Sequence, residues 1–433
     1  MRNKSVPLGR SRRKPAPRHS LSMLLAVPLT LLLFVAACGS DAGAGDTPAS
    51  GSPSIGADPL GPLDQATGEP VKIGVVSDGK SAAVDNSVQF AVAEATARYF
   101  NEHKGGIGGR PIEIVSCETQ SDPARGADCG NQMIEKDVVA VAVGESSVTE
   151  SVWKPLSDAG IPTMIFGAGN PAILADDTSY ILGDPSFTTL QLPISLAKDK
   201  GVDKVASIVI DVPNALEVAQ RVAPGRYKDN GLEYQLVTVP PGTADMTPQM
   251  KTVLDGGAGL VFVVGNDAFC ISAFDGLKAV GYDGTISAIS QCLSDATREA
   301  VSAEVLDGMV IGASVPVGGD EPSTTLYNTV LDTYGDDIDQ AAPAGRGMFV
   351  VLGGLVASLD NITGDITPAT VNATIKAMPE IDLPGAAGLK FRCNGKAYPK
   401  SPAVCVRGGL TATLDNKGNP TAFDVTGSSP IPD

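Results

Sequence analysis

The stretch VVAVAVGESSVTES, residues 138–151, decides the fold that the sequence predicts. Its first six residues, 138–143, are apolar and are typical of a β-strand that is buried on both faces. Gly144 ends this strand, and Ser146 or Ser147 suits the N-cap of a helix that continues to about Asp158. Open α/β sheets bind ligands where a strand passes through such a turn into a helix. The alternative is that these hydroxyls only cap the helix, which this segment alone favours.

The rest of the chain repeats the alternation of strand and helix. We predict strands over residues 71–76, 111–116, 138–143, 161–166, 204–210, 234–239, 259–264, 285–289 and 308–312. We predict helices over residues 86–103, 122–136, 213–229, 247–254, 268–280, 321–334, 347–359 and 368–378. This alternation predicts parallel sheets with right-handed crossovers. Because the strands are too many for one comfortable sheet, we expect an α/β fold of two Rossmann-like lobes, with crossings near residues 182–187 and 313–319.

The first 37 residues have the pattern of a secretory signal peptide, with a basic start and an apolar run over 21–37. The sequence VAAC at 35–38 looks like a bacterial lipobox, which implies cleavage before Cys38 and a diacylglycerol on its sulfur. The alternative is an uncleaved transmembrane helix, but the run is short for a span and contains Pro28. Residues 38–69 are rich in Gly, Ser, Ala, Asp and Pro, and we predict a lipidated flexible tether there.

Charge and cysteine content narrow the class of protein. The chain has 32 Lys and Arg against 49 Asp and Glu, which argues against nucleic acid and anionic lipid surfaces as partners. Beyond Cys38 there remain six cysteines, an even number that indicates disulfides in an exported protein. Of the fifteen possible connectivities we favour pairing in sequence order, because these partners are close in the chain. The predicted bonds are Cys117–Cys129, Cys270–Cys292 and Cys393–Cys405.

Enzymatic interpretations find little support in the residues. His103 is the only histidine beyond the signal peptide. The sequence therefore gives little support for a Ser-His-Asp triad or a histidine-rich metal site. The glycine-rich segment 105–109 follows a helix and lacks the Lys-Ser/Thr ending of a phosphate loop. We therefore expect no enzyme activity, no metal and no cofactor.

Short motifs spread over the whole body resemble those of one family. They are VKIGVV (71–76), GGIGGRP (105–111) after Asn101, DP (122–123), GESS (144–147), GIP (160–162) and GYDG (281–284). In this order and spacing they resemble type I periplasmic solute-binding proteins of the branched-chain amino-acid (Leu/Ile/Val-binding) ABC-transporter family. The resemblance implies two lobes joined by three crossing strands, the third near residues 383–391. It places lobe 1 at residues 70–184 and 316–383, and lobe 2 at 185–315 and 384–433.

The resemblance also implies a set of ligand-binding residues in the cleft between the lobes. A ligand carboxylate would be held by the hydroxyl of Ser146 and by neighbouring backbone N–H groups. Further members would come from the loops that follow the other strands. The complete set is Ser81, Ser146, Ser147, Ala168, Gly169, Asp211, Asn214, Asn266, Asp267 and Gln291.

Four positions depart from the pattern of the amino-acid binders. Gly169 stands where they place a hydroxyl, and Ala215 and Asn266 stand where they place aromatic residues. Gln291 replaces the Glu that pairs with the ligand ammonium. An unpaired buried ammonium costs several kcal/mol, and a micromolar complex totals only about 8 kcal/mol, so an α-amino acid is not expected unless Asp211 or Asp267 substitutes. We expect a larger or less charged solute, such as a carboxylate, an amide or an aromatic compound.

The sequence therefore predicts a solute-binding lipoprotein of an ABC importer, which traps a small solute and delivers it to a permease. We expect a monomer on the outer face of the cytoplasmic membrane, anchored through Cys38. One alternative is a receptor module that reports ligand occupancy to a signalling partner. Another is a hydrolase that uses Ser146 on the same scaffold, although the chain offers no evident base.

Overall fold

Two large β-sheets form the framework of the chain. This computed structural model describes residues 58–433 apart from 82–84, 213–214, 217 and 317–320, and the described residues belong to one compact unit. The predicted signal peptide, the lipobox with Cys38 and the first part of the tether lie outside the described residues, as does Asn214. In the part of the chain that is described, no helix is long and apolar enough to cross a membrane.

The first sheet has five parallel strands in the order β2-β1-β3-β4-β5. These strands are β1 (Val71–Ser77), β2 (Ile112–Glu118), β3 (Ala140–Val143), β4 (Thr163–Ile165) and β5 (Ser179–Ile181). The helices between them are α1 (Val88–His103), α2 (Pro123–Glu135), α3 (Thr149–Asp158) and α4 (Pro171–Ala175). Strand β3 lies between β1 and β4 and is buried along its whole length, as its apolar sequence predicts.

The helix starts show how far local sequence patterns determine the boundaries. Asp122 caps α2 as predicted, because its carboxylate accepts hydrogen bonds from the backbone N–H groups of Ala124 (2.7 Å) and Arg125 (3.3 Å). The predicted cap of α3 is wrong. This helix begins only at Thr149, and no side chain caps it. The Ser146 hydroxyl instead forms hydrogen bonds within the loop before the helix.

The second sheet has seven strands in the order β14-β13-β10-β9-β8-β6-β7. They are β6 (Lys204–Ile210), β7 (Glu233–Val239), β8 (Leu260–Val264), β9 (Thr285–Ile289), β10 (Val310–Ala313), β13 (Gly409–Leu414) and β14 (Pro420–Thr426). Strands β6 to β10 are parallel, as predicted. Strands β13 and β14 add to this sheet as an antiparallel pair, because only a short turn over 415–419 joins them.

Helices and helical turns connect the strands of the second sheet. The α-helices are α5 (Leu192–Lys200), α6 (Ala223–Asp229), α7 (Thr247–Asp255), α8 (Asp267–Ala279), α9 (Asp295–Ala300) and α10 (Ala303–Leu306). π-Helical turns occupy Phe187–Gln191 and Val218–Val222, and a 3-10 turn occupies Ser290–Cys292. The helix predicted over 213–229 is thus a π-helical turn followed by a short α-helix.

The chain passes between the sheets after β5, after β10 and before β13. After β10 it forms α11 (Pro322–Tyr334), α12 (Pro343–Ala357) and α13 (Pro368–Ala377). Both α11 and α12 pack against α1, so this segment belongs with the first sheet. We call the first sheet with its helices lobe 1 and the second sheet with its helices lobe 2.

The third crossing predicted near residues 383–391 is wrong. Strands β11 (Ile381–Asp382) and β12 (Lys390–Phe391) form a small antiparallel sheet, and Leu383 and Phe391 are buried in the core that surrounds the first sheet. Val404 forms a parallel bridge with Ile181 of β5. The chain reaches the second sheet only at β13, since the segment up to about residue 406 adds to lobe 1 through these contacts.

The N-terminal border of lobe 1 also differs from the prediction. Residues 58–69 belong to the predicted flexible tether, but Leu60 is buried and the backbone N–H groups of Asp64 and Ala66 donate to the carbonyls of Glu102 (2.8 Å) and Asn101 (2.7 Å). His103 Nδ1 lies 3.0 Å from the Gly61 carbonyl oxygen. Composition misled here because backbone hydrogen bonds hold the segment, and these need few apolar side chains.

The structure contains the three predicted disulfides. Cys117–Cys129 joins β2 to α2, and Cys393–Cys405 closes the segment that lies beside β5. Cys270–Cys292 joins α8 to the 3-10 turn after β9, and both of its cysteines are fully buried. This bond therefore fixes the position of the turn that contains Ser290 and Gln291.

We expect the double variant Cys270→Ala/Cys292→Ala to lose about 2–4 kcal/mol of unfolding free energy, because the bond restrains the unfolded chain. Urea unfolding followed by circular dichroism would measure the change. An unchanged urea midpoint would show that neither the bond nor the burial of the two sulfur atoms contributes measurably to stability.

Candidate functional site

A cavity of about 370 Å³ lies between the two lobes. Its volume falls within the range of small-molecule sites, about 300–1,000 Å³. Lobe 1 contributes the ends of β3 and β4 and the starts of α1 and α12, and lobe 2 contributes the turn after β9. Parallel sheets bind ligands at these carboxyl ends of their strands. The lining residues are Asp85, Asn86, Val88, Glu145, Phe166, Ser290, Gln291, Leu293, Arg298, Ile311, Ser314, Val315, Ala342, Ala344 and Pro420.

A buried carboxylate organises the lobe 1 side of this cavity. Asp78, directly after β1, is only 2% exposed. Its Oδ1 accepts hydrogen bonds from the hydroxyls of Thr119 (2.6 Å) and Ser146 (3.1 Å), and its Oδ2 accepts one from the Ser147 backbone N–H (2.8 Å). Thr119 follows β2, and the two serines follow β3. One side chain thus connects the loops after three neighbouring strands.

These hydrogen bonds determine the charge of Asp78. Burial pushes the pKa of Asp78 upward, but the hydrogen bonds from Thr119, Ser147 and Ser146 favour the ionised form and hold the pKa below its ordinary value. The carboxylate is therefore negative at neutral pH. The Ser146 hydroxyl and the Ser147 N–H, which the family resemblance assigns to a ligand carboxylate, donate to Asp78 instead.

Glu145 is the charged residue that this loop presents to the cavity. Its side chain is half-buried, and no hydrogen bond to its carboxylate forms among the described residues. Burial raises the pKa of Glu145, and the negative charge of Asp78 raises it further. The cavity therefore contains a carboxylate whose ionised form has neither a hydrogen-bond donor nor a paired cation among the described residues.

Gly144 allows a close approach of Gln89 behind this loop. A Cβ atom at position 144 would lie 2.5 Å from Gln89 Oε1, so any other residue would displace the fully buried Gln89 side chain. Gln89 Nε2 donates to the carbonyl oxygen of Ala344, at 2.9 Å. Gln89 Oε1 is buried and receives no hydrogen bond from the described residues.

The lobe 2 wall carries polar groups that are neutral or paired. Ser290 and Gln291 lie in the turn that the Cys270–Cys292 disulfide fixes. Arg298, on α9, donates to the Gly418 carbonyl oxygen from Nε (3.2 Å) and pairs with Asp295 from Nη1 (2.9 Å). The guanidinium is thus held against the wall by its own lobe.

Of the ten residues predicted to bind ligand, Gln291 is among those that line this cavity. Ser146 and Ser147 lie behind it and bind Asp78. Asn266 and Asp267 form hydrogen bonds with the backbone N–H groups of the first turn of α8. Four described members lie in strand-end loops that do not reach the lining, and Asn214 is outside the described residues. These four are Ser81, Ala168, Gly169 and Asp211.

The sequence interpretation missed Glu145, Phe166 and Arg298. Glu145 is adjacent to the predicted serines, and alternation along the loop was the only signal that could have found it. Phe166 ends the predicted fourth strand and therefore could have been included. Arg298 carried no signal, because it lies on a short helix well after the strand whose end it approaches.

A larger cavity, about 640 Å³, lies within lobe 1 away from these strand ends. Its wall is mainly apolar and includes Tyr99, Phe100, Phe349 and Met378. Ligand sites combine an apolar wall with a few polar groups that converge on one point. The cavity between the lobes has such groups in Glu145 and Gln291, so we take it as the candidate site despite its smaller volume.

Comparison with known proteins agrees with this architecture. The family model described as "Periplasmic binding protein" matches residues 70–409. The chain belongs to the periplasmic binding protein family. This confirms the resemblance and the two-lobed α/β fold inferred from the sequence.

One relative is the Leu/Ile/Val-binding protein homolog 6 of Brucella abortus (strain 2308). It is 28% identical over 171 residues, which cover 38% of this chain and 43% of the relative. The match thus spans less than half the length of that protein.

Two solved structures are similar over most of the chain. The branched chain amino acid ABC transporter structure from Thermus thermophilus with bound valine has a TM-score of 0.63 at 14% identity, and covers 83% of this chain and 96% of its own. The solute binding protein from R. palustris in complex with 4-hydroxybenzoate has a TM-score of 0.61 at 17% identity. The similarity covers 84% of this chain and 98% of that protein. At these identities the similarity shows the fold.

We expect Asp78→Asn to lower the unfolding free energy by about 1–3 kcal/mol at pH 7, because the amide cannot accept all three hydrogen bonds. Since the pKa of Asp78 is lowered by folding, its stabilising effect is present at neutral pH and is lost as the pH falls through the folded-state value. The difference between wild type and variant should shrink below about pH 4.

Urea unfolding at several pH values would measure this difference. Asp229→Asn is the matched control, because Asp229 is exposed on α6. A difference from wild type that stays constant down to the lowest pH would contradict an ionised Asp78.

Proposed function

We propose that the protein is an extracytoplasmic solute-binding lipoprotein of an ABC importer. It traps a small solute between its two lobes and delivers it to a permease in the cytoplasmic membrane. The observation that carries this proposal is the cavity between the lobes, at strand ends, in a member of the periplasmic binding protein family. Relatives with this fold bind different solutes, valine in one and 4-hydroxybenzoate in another.

The proposed location follows from the N-terminal sequence. The VAAC motif supports lipidation of Cys38, which would anchor the chain to the outer face of the cytoplasmic membrane. Residues 39–57 would then separate the anchor from the folded lobes, since the described structure begins at residue 58. The protein would act there as a monomer beside its permease.

The proposed solute is not a standard branched-chain amino acid. An α-carboxylate at the β3 loop would compete with the ionised Asp78 for the Ser146 hydroxyl and the Ser147 N–H. The ligand carboxylate and Asp78 would also repel each other, because both are negative. On the opposite wall Gln291 offers an amide in place of a carboxylate. Both differences disfavour the ligand that the family resemblance suggests first.

Binding of solute should raise the melting temperature of the purified protein. A solute at a hundred times its Kd should add about 2.7 kcal/mol to the unfolding free energy. A thermal-shift screen over amines, carboxylates, amides, sugars and aromatic compounds would find it. X-ray scattering should then show a more compact protein, because closure of the lobes on solute is the expected response of this fold.

A bulky residue in the cavity should remove this shift. Ala342 lines the cavity at the start of α12, so Ala342→Trp should abolish the response to solute and leave the ligand-free protein folded. Ala303→Trp is the matched control, since Ala303 is exposed on α10. If no solute class shifts the wild type, or if both variants respond as the wild type does, solute trapping in this cavity is wrong. Turnover of a bound solute would instead indicate an enzyme.

A further inference from the structure

Two donors of the loop after β3 are already used within the protein. Its hydroxyl at Ser146 and its backbone N–H at Ser147 both donate to Asp78. Asp78 is part of the protein and is ionised, so it occupies the position that an anion would otherwise take. The loop therefore presents a negative charge to the cavity, because Glu145, the residue before Ser146, lines the cavity.

Two acceptors at this loop lack a donor among the described residues. The Glu145 carboxylate has no hydrogen-bond partner within the described part of the chain, and the nearby charge of Asp78 is of the same sign. Gln89 Oε1 is an unsatisfied acceptor behind Gly144. A buried carboxylate without compensation is unfavourable unless a cation or a donor approaches it.

Among the described residues, the opposite wall does not supply an unpaired cation. Arg298, the basic residue in the lining, is paired with Asp295 and bound to the Gly418 carbonyl. Asp85, at the lobe 1 rim, adds another carboxylate, which is exposed and pairs with Lys80 at 3.1 Å. Of the charged side chains in the lining, Asp85 and Arg298 are each paired within their own lobe, and Glu145 has no partner among the described residues.

We propose that the solute presents a protonated nitrogen, as an amine, amidine or guanidinium, to the Glu145 carboxylate. This inference rests on the proposed function, and it names the class of solute. A cation at Glu145 would supply the missing counter-charge and would relieve the repulsion from Asp78. The other arrangement is a protonated Glu145 that donates to an acceptor of a neutral or anionic solute. Burial and the Asp78 charge raise the pKa of Glu145 while no cation is present, and a cation beside it would favour the ionised form.

Sets of three probes with one carbon skeleton can separate these arrangements. L-leucinamide is a cation, L-leucine is a zwitterion, and N-acetyl-L-leucine is an anion. The phenylalanine series offers the same three forms. At pH 6.5, below the α-amino pKa of about 7.7–8.0, we expect a rise in melting temperature with the amides of at least one skeleton and none with the N-acetyl acids. A shift with N-acetyl acids alone, or a screen whose solutes are all neutral or anionic, would overturn the proposal.

The variant Glu145→Gln tests the residue itself, with the cationic probe or any cation from the screen. Loss of a charge-assisted contact should weaken its binding by about 10- to 100-fold in isothermal titration calorimetry. Glu94→Gln is the matched control, because Glu94 is exposed on α1, and it should change the affinity less than about twofold. Equal affinities of wild type and Glu145→Gln would overturn the assignment.

The melting temperature of ligand-free Glu145→Gln separates a loss of binding from a loss of folding. Because the ionised carboxylate lacks compensation, the variant should melt at the same temperature as wild type or higher. A solute that loses its binding in Ala342→Trp but binds Glu145→Gln as it binds the wild type would support the proposed function. The same result would contradict the contact between a cation and Glu145. Absence of any binding solute would count against the proposed function and this inference together.

Discussion

The buried carboxylate of Asp78 is the interaction on which the candidate site depends. It lies after β1 and accepts hydrogen bonds from groups that follow β2 and β3. The order of the first sheet places β1 between these two strands, so a single side chain can reach both neighbours. These three hydrogen bonds compensate the buried charge, which would cost several kcal/mol if it were unpaired.

This constraint has a direct consequence for the chemistry of the cleft. A donor that is bound to Asp78 is not available to a solute, and the loop after β3 is left with Glu145 facing the cavity. In lobe 2 a covalent bond has the corresponding role, because Cys270–Cys292 holds the turn with Ser290 and Gln291 against α8. The two walls are thus fixed by different means, an internal charge on one side and a disulfide on the other.

Regular alternation made most of the fold predictable. The apolar runs of β3 and β6 and the Asp-Pro start of α2 identify their elements because burial and capping act on adjacent residues. The disulfides were predictable for the same reason, since their partners are near in sequence. The third crossing was not, because residues 383–406 join lobe 1 through Ile181, a partner some two hundred positions away in the chain. Residues 58–69 likewise depend on carbonyls of α1 that no local pattern reveals.

The sequence by itself determined the class of the protein, two lobes of strand and helix with the candidate loops at the ends of β3 and β9. Periodicity suffices for this because it reports which side chains are buried. Only the tertiary structure decided what those loops do. Asp78 and Ser146 are 68 positions apart, and their hydrogen bond depends on β1 and β3 lying side by side. The direction in which Ser146 donates its proton, and therefore the sign of charge that the cleft offers a solute, follows from that pairing.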